Sequence, residues 1–445
     1  MADIIVVAGL GFGDEGKGSA VDFLARSHAA KMVVRHNGGA QAAHNVVLAD
    51  GRHHTFAQFG SGTFNPGCRT HLSRHMLVNP IFLMREELHL RTLGVEDAYE
   101  RLTIERQALI TNPFQVAANR LREMIRAGAR HGSCGMGINE TVCDAVAHPS
   151  EAVRAEDFDS PSKLRLKLAT SQVRKYEEIV RLLNPREVPP VMQREWDVLA
   201  DHTLPASVAD TYLQLAARVR VVDETYLKTA MNERGTIVFE GAQGVLLDQD
   251  HGFFPHVTRS TTTFANALDL IRGHGESVAK IGVLRAYTTR HGPGPFPTED
   301  ASMGLPDPHN GFGEWQREFR VGHLDAVLAH YAIHQVCDGV DGIMMTHLDR
   351  LQGRSVKVCT GYDGAGRVDD YMGGKDRYFH VHNGMIHGLK PGPLDTKRTD
   401  ALAAVEPDYE EFNTVEEAVR FTSGELRSSI RYLAYGPKAE DWRTC

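Results

Sequence analysis

The densest chemistry in the chain lies in Gly11-Phe12-Gly13-Asp14-Glu15-Gly16-Lys17-Gly18. Glycines at this spacing leave backbone N–H groups free to hold phosphate, and Lys17 sets a positive charge beside them. The stretch nearly fits a P-loop, but Gly18 stands where a Ser or Thr hydroxyl would meet magnesium. Asp14 lies inside the loop instead. A carboxylate beside phosphate is costly unless a metal or a proton transfer needs it. His44 closes a loop of small and amide residues, 36–45, that contains Gln41, Ala43 and Asn45. Gln243 follows an apolar run at 236–240, and Asp349 follows another at 342–346. An acid after a strand can accept both the N1 and N2 protons of guanine. Thr258 and Thr261–Thr263 offer hydroxyls or a helix cap. Each feature also has a plain reading: a surface turn, a solvated histidine, a cap, a strand-end acid.

The elements that must position these groups are legible around them. Residues 4–8 form a β-branched apolar run, and 19–25 have helical spacing, so the order is strand, glycine loop, helix. Residues 31–35, 236–240, 281–287 and 342–346 predict further strands. Each delivers polar residues at its C-terminal end, where open α/β sheets place ligand groups. Helical patterning covers 86–93, 114–127, 163–183, 206–231 and 324–336. The glycine stretch 128–137 fits either a flexible cover over a ligand or a linker. The expected architecture is α/β, with a large mainly parallel sheet. We read 1–445 as one domain, with 150–235 a helical insertion rather than a separately acting unit.

Composition narrows the classes. A net charge of −8 gives no global attraction to nucleic acid. No run of about 18 apolar residues occurs, so no membrane span is expected. The chain enters its first strand without a signal-peptide core. The six cysteines are scattered and form no C-x-x-C pair, which fits a reduced, cytoplasmic protein.

Taken in order, these motifs resemble those of the adenylosuccinate synthetase family. The matching stretches are 13–18, 35–47, 239–244, 247–252, 294–299 and 346–349, over nearly the whole length. The resemblance implies a P-loop-GTPase-related fold, a homodimer and a two-step reaction. GTP phosphorylates the 6-oxygen of inosinate, and the aspartate amine then displaces phosphate to give adenylosuccinate. By position it makes Asp14 the base that removes the N1 proton and a magnesium ligand, with the Ala43 carbonyl completing the metal site. His44 stabilises the transferred phosphoryl group. Gly13, Gly16, Lys17, Gly18 and Asn45 hold GTP, with Lys17 also catalytic. Asp349 reads guanine, with Gly436 and Pro437 beside the base. Gln41, Cys134, Gln243 and Thr258 face the acceptor, and Arg317 the amine donor.

The chain departs from the family's pattern at the substrate ends. A Thr-Thr-Gly-Arg-Gly switch loop becomes Ser133-Cys134-Gly135-Met136-Gly137, and a phosphate-binding Arg of the neighbouring subunit aligns with His148. The four consecutive Arg of the aspartate loop become Arg317-Glu318-Phe319-Arg320. His347 replaces a Lys, and Gln41 an Asn. The phosphoryl-transfer centre is kept. Inosinate and aspartate are the expected substrates; the alternatives are a paralogous ligase for another lactam or amine, and a non-catalytic GTP-binding paralog.

Overall fold

The computed structural model describes all residues other than 276–277, 306, 308–309, 365–376 and 393. A ten-stranded sheet forms its spine. In chain order its strands are β1 (Ala2–Gly9), β2 (Met32–Arg35), β3 (Arg69–Leu72), β4 (Leu102–Glu105), β5 (Arg220–Val222), β6 (Gly235–Gly244), β7 (Val278–Arg285), β8 (Gly342–Thr346), β9 (Ile430–Ala434) and β10 (Trp442–Thr444). Across the sheet they run β10-β9-β8-β7-β1-β6-β2-β3-β4-β5. All neighbours pair parallel except β9 with β10. Parallel strands covered on both faces need continuous apolar runs. Ile4, Ile5, Val6 and Val7 on β1 and Ile237, Val238 and Phe239 on β6 supply them, and all are buried.

β1 is central, between β6 and β7. Its C-terminal end feeds the phosphate loop, and the loop feeds helix α1 (Lys17–Ser27). Gly16 caps that helix at φ 88°, and Gly13 and Asp14 have φ of 94° and 58°. Positive φ favours glycine, and Asp is among the few other residues that adopt it readily, so the loop can place a carboxylate at position 14. The ends of β6, β7 and β8 deliver Gln243, Arg285 and Thr346 to the same edge of the sheet.

Within 150–235, the helices Pro161–Val180 and Gln193–Ala200 pack on helix α2 (Pro113–Arg126), Leu204–Ala216 packs on Pro161–Val180, and Glu224–Asn232 packs against β1. The helical run expected over 206–231 is broken. Arg220–Val222 instead pairs with β4 at the sheet edge, and Asp223 caps the next helix through Thr225 N. Two adjacent β-branched valines and a capping Asp outweigh the helical spacing there. The run expected over 324–336 starts at Ala326 and continues as a π-helical turn from Tyr331 to Val336.

Candidate active site

A cavity of about 830 Å³ opens at the C-terminal ends of the parallel strands. It is bounded by the phosphate loop, the 41–45 loop, residues 131–134, residues 254–259 and the end of β8. Asp14, Lys17, Gln41, Ala43, His44, Asn45, Cys134, Gln243, Thr258, Asp349, Gly436 and Pro437 all line it, with Gly13, Gly16 and Gly18. Arg317 does not: it is exposed at φ 68°, with its backbone bonded to Gly313, and Gln316 faces the cavity instead.

The phosphate loop is organised on Glu15. This buried carboxylate accepts from Gly11 N at 3.0 Å and Gly13 N at 2.8 Å, and pairs with Lys17 Nζ at 2.5 Å. The loop's donors and its lysine are thus already arranged around an anion. Gly18 has a separate cause. A Cβ there would lie 2.7 Å from the Asn45 carbonyl oxygen and the His44 carbonyl carbon. The residue that breaks the P-loop pattern is the one that lets the His44 strand cross the start of α1.

Asp14 places its carboxylate 3.6 Å from His291 Nε2, and its backbone oxygen accepts from Arg285 at 3.0 Å. Burial raises its pKa, against the charges of His291, Lys17 and Arg285. A raised pKa suits a carboxylate that must take a proton near neutral pH. Arg285 is held in turn by Asp307 at 2.8 Å. Arg285 and Glu15 were not singled out from sequence, although Arg285 ends β7 and its strand-end position was the available signal.

His44 is buried, with Nδ1 2.5 Å from Glu240 Oε1. Glu240 also accepts from Ser61 N at 2.9 Å and Ser61 Oγ at 2.5 Å. Burial opposes its ionisation, but Arg35, His44 and Ser61 hold the Glu240 carboxyl down at about 2. Burial lowers His44 to about 4 despite Glu240. The pair is therefore carboxylate and neutral imidazole, with Nδ1–H donating and Nε2 left for the cavity.

Asn37 stitches the 36–45 loop to the end of β6: its amide accepts from Ala242 N at 2.7 Å and donates to Ala242 O at 3.0 Å. Gln243 sits at φ 59°, and its Oε1 is buried without a partner, as are both amide atoms of Gln41. Unpaired buried amides are costly and are met by a ligand that supplies the missing partners. The 128–137 stretch is no loose linker. Asn119 on α2 donates to Ser133 Oγ and accepts from Gly137 N, Glu123 accepts from Gly132 N, and Arg120 donates to Gly135 O. Burial pushes the Cys134 thiol up to about 11, so it meets a ligand as a neutral group.

At the far end, Thr346 Oγ1 donates to Glu15 O at 2.6 Å, which ties the end of β8 to the glycine loop after β1. His347 Nδ1 lies 2.8 Å from that hydroxyl, and burial keeps His347 well below its ordinary pKa. Burial raises Asp349. Asp14 and the Ala43 carbonyl supply hard oxygens to the cavity. That suits magnesium, which takes few protein ligands when phosphates are present. Among the described residues no cluster of three or more His, Cys, Asp or Glu forms a protein-only metal cage. None of the described helices is long and apolar enough to cross a membrane.

The sequence model of the adenylosuccinate synthetase family matches residues 6–440. Adenylosuccinate synthetase of Frankia alni is 34% identical over 429 residues, covering 93% of each chain. That of Saccharopolyspora erythraea is 35% identical over 371 residues, covering 81% of each. The fully ligated adenylosuccinate synthetase of Plasmodium falciparum shares the fold, with a TM-score of 0.77 at 20% identity over the full length of both chains.

Proposed function

The chain belongs to the adenylosuccinate synthetase family, and from that premise we propose how its cavity performs the family's reaction. It is a GTP-dependent ligase that joins inosinate to aspartate and forms adenylosuccinate. The observation that carries this reading is the meeting of Asp14, Lys17, His44, Gln243 and Asp349 on one cavity.

Asp14 takes the proton from N1 of the purine, and the electron pair released makes the 6-oxygen nucleophilic. Gln243 bonds that oxygen and fixes its line of attack on the γ-phosphorus. Lys17 and the loop N–H groups, now turned to Glu15, hold the triphosphate. His44 faces the moving phosphoryl group with Nε2. The negative charge arriving there offsets the burial that keeps the ring neutral, so Nε2 takes up a proton from solvent and Glu240 stabilises the resulting imidazolium. Asp349 accepts from guanine beside Gly436 and Pro437. Gln41, Cys134 and Thr258 border the acceptor, and Arg317 belongs to the donor loop, which must fold inward for it to reach aspartate. Asp14 and the Ala43 carbonyl would hold magnesium, which would supply positive charge opposite the phosphates. The aspartate amine then attacks C6, and phosphate leaves with the former 6-oxygen.

A homodimer belongs to the same reading, with Val146, Leu166 and Val173 as exposed apolar side chains for it to cover. So does a cytoplasmic location, which suits six free cysteines. The test is an absorbance assay with inosinate, GTP, magnesium and aspartate. Adenylosuccinate should form; its absence at high enzyme concentration would overturn the reading. Neither another lactam acceptor nor a non-catalytic role gains support from the comparisons.

A further inference from the structure

If the acceptor is inosinate, it brings a phosphate monoester with close to two negative charges into the cavity, and a cation must meet it. Most cations along the wall are committed. Lys17 pairs with Glu15, Arg126 with Glu123 at 2.7 Å, and Arg285 with Asp307. Arg290 is buried and donates to the carbonyls of Pro293 and Pro295. Arg350 stands beside Asp349, at the guanine end.

Arg259 differs. It lines the same cavity, follows Thr258 directly, and is exposed. Among the described residues its guanidinium makes no hydrogen bond or ion pair. It lies near helix α3 (Ile138–Ala147): burial raises the Cys143 thiol, and Arg259 is the strongest charge opposing that. Asn139 and Glu140, from the first turn of α3, also line this part of the wall. Glu140 would repel an anion, but Arg122 at 3.0 Å and Lys175 at 2.9 Å neutralise it. Gln41 and Cys134 border the same cavity, while the phosphate loop and Asp349 serve the triphosphate and its base.

We propose that Arg259 is the residue that binds the phosphate monoester of the acceptor nucleotide, with the Thr258 hydroxyl beside it. A guanidinium offers paired N–H donors to two phosphate oxygens. Because the side chain is free and exposed before binding, the contact costs no existing ion pair. It also sets specificity: a nucleotide is held, and the nucleoside without its phosphate is not. The inference rests on the inosinate reading above.

The test measures binding of inosinate and of inosine to the full chain by titration calorimetry, for the wild type, Arg259→Gln and Arg259→Lys. The wild type should prefer inosinate. Arg259→Gln should lose about tenfold to a hundredfold in inosinate affinity, the worth of a charge-assisted contact, with inosine unaffected. Arg259→Lys should keep part of the preference, and raising salt should weaken inosinate binding only where the cation is present. KM values for GTP and aspartate should not move in either variant. A wild type that binds inosinate and inosine equally would overturn the proposal. So would an Arg259→Gln protein that retains the preference, or one that loses aspartate affinity instead. A wild type that binds inosinate through Arg259 but makes no adenylosuccinate would sink the proposed function and leave this inference standing.

Discussion

Gly18 packs directly on the backbone of Asn45, with room for no Cβ between them. This contact joins two walls of the cavity. The helix that presents Lys17 and the strand that presents His44 cross at the one position where a P-loop would carry a hydroxyl.

Gly18→Ser should therefore damage the site rather than restore a P-loop. The added Cβ must push the 44–45 backbone away, at a cost of about 1–3 kcal/mol in stability. A displacement near 1 Å at His44 should lower kcat by roughly 100-fold. Urea unfolding and steady-state kinetics check both numbers; a fully active Gly18→Ser enzyme would contradict the crossing.

Asp14→Asn keeps the size of the side chain and removes the base. Turnover should fall by about 100- to 10,000-fold, the range for a positioned proton acceptor. GTP binding, measured separately, should persist. Since burial raises the Asp14 pKa, wild-type kcat should rise with pH as this carboxyl ionises and should level off above its pKa. Unchanged activity in Asp14→Asn would remove the residue from the mechanism.

Glu240 makes a prediction about stability with a definite sign. Its carboxyl is held at about 2, below the ordinary value of 4.5. The unfolded chain therefore binds more protons between those two values. The stabilisation is fully present above pH 4.5 and is lost as the pH falls through that window. It amounts to about 3 kcal/mol by linkage. Denaturant unfolding of wild type and Glu240→Gln between pH 7 and pH 3 should show the two stabilities converging toward acid. Parallel curves would refute the charge state assigned to this residue.

Asp349→Asn should change which base is accepted. Guanine offers N–H donors to a carboxylate, whereas an amide can also donate to the 2-oxo group of xanthine. The KM for GTP should rise by about 10- to 100-fold, and xanthosine triphosphate should gain by comparison. Equal use of GTP by both proteins would show that Asp349 does not read the base.

The phosphate loop, β1 and α1 were legible because local pattern and function coincide over a few residues: a β-branched run, glycines at fixed spacing, a lysine, then helical periodicity. Strand ends such as Gln243 and Asp349 were legible for the same reason. The 206–231 segment was not, because sheet-edge pairing of Val221 and Val222 is a non-local term that helical spacing cannot reveal. Glu15 looked like a loop residue. Its role as the carboxylate that gathers Gly11, Gly13 and Lys17 depends on the loop closing on itself. Arg259 looked like one charge among 49 Lys and Arg, and only its place on the cavity wall without a partner among the described residues distinguishes it.

The sequence by itself determined the family, through motifs that occur in the family's order over nearly the whole chain. It also determined the central strands, through apolar runs that must be buried on both faces. Only the tertiary structure decided which charges are free and which are spent. Lys17, Arg126 and Arg285 each meet a carboxylate, while Arg259 meets none among the described residues. A charge can bind a ligand without giving up an existing pair only when folding leaves it unpaired. That depends on distances between residues far apart in the chain, which composition and spacing do not contain.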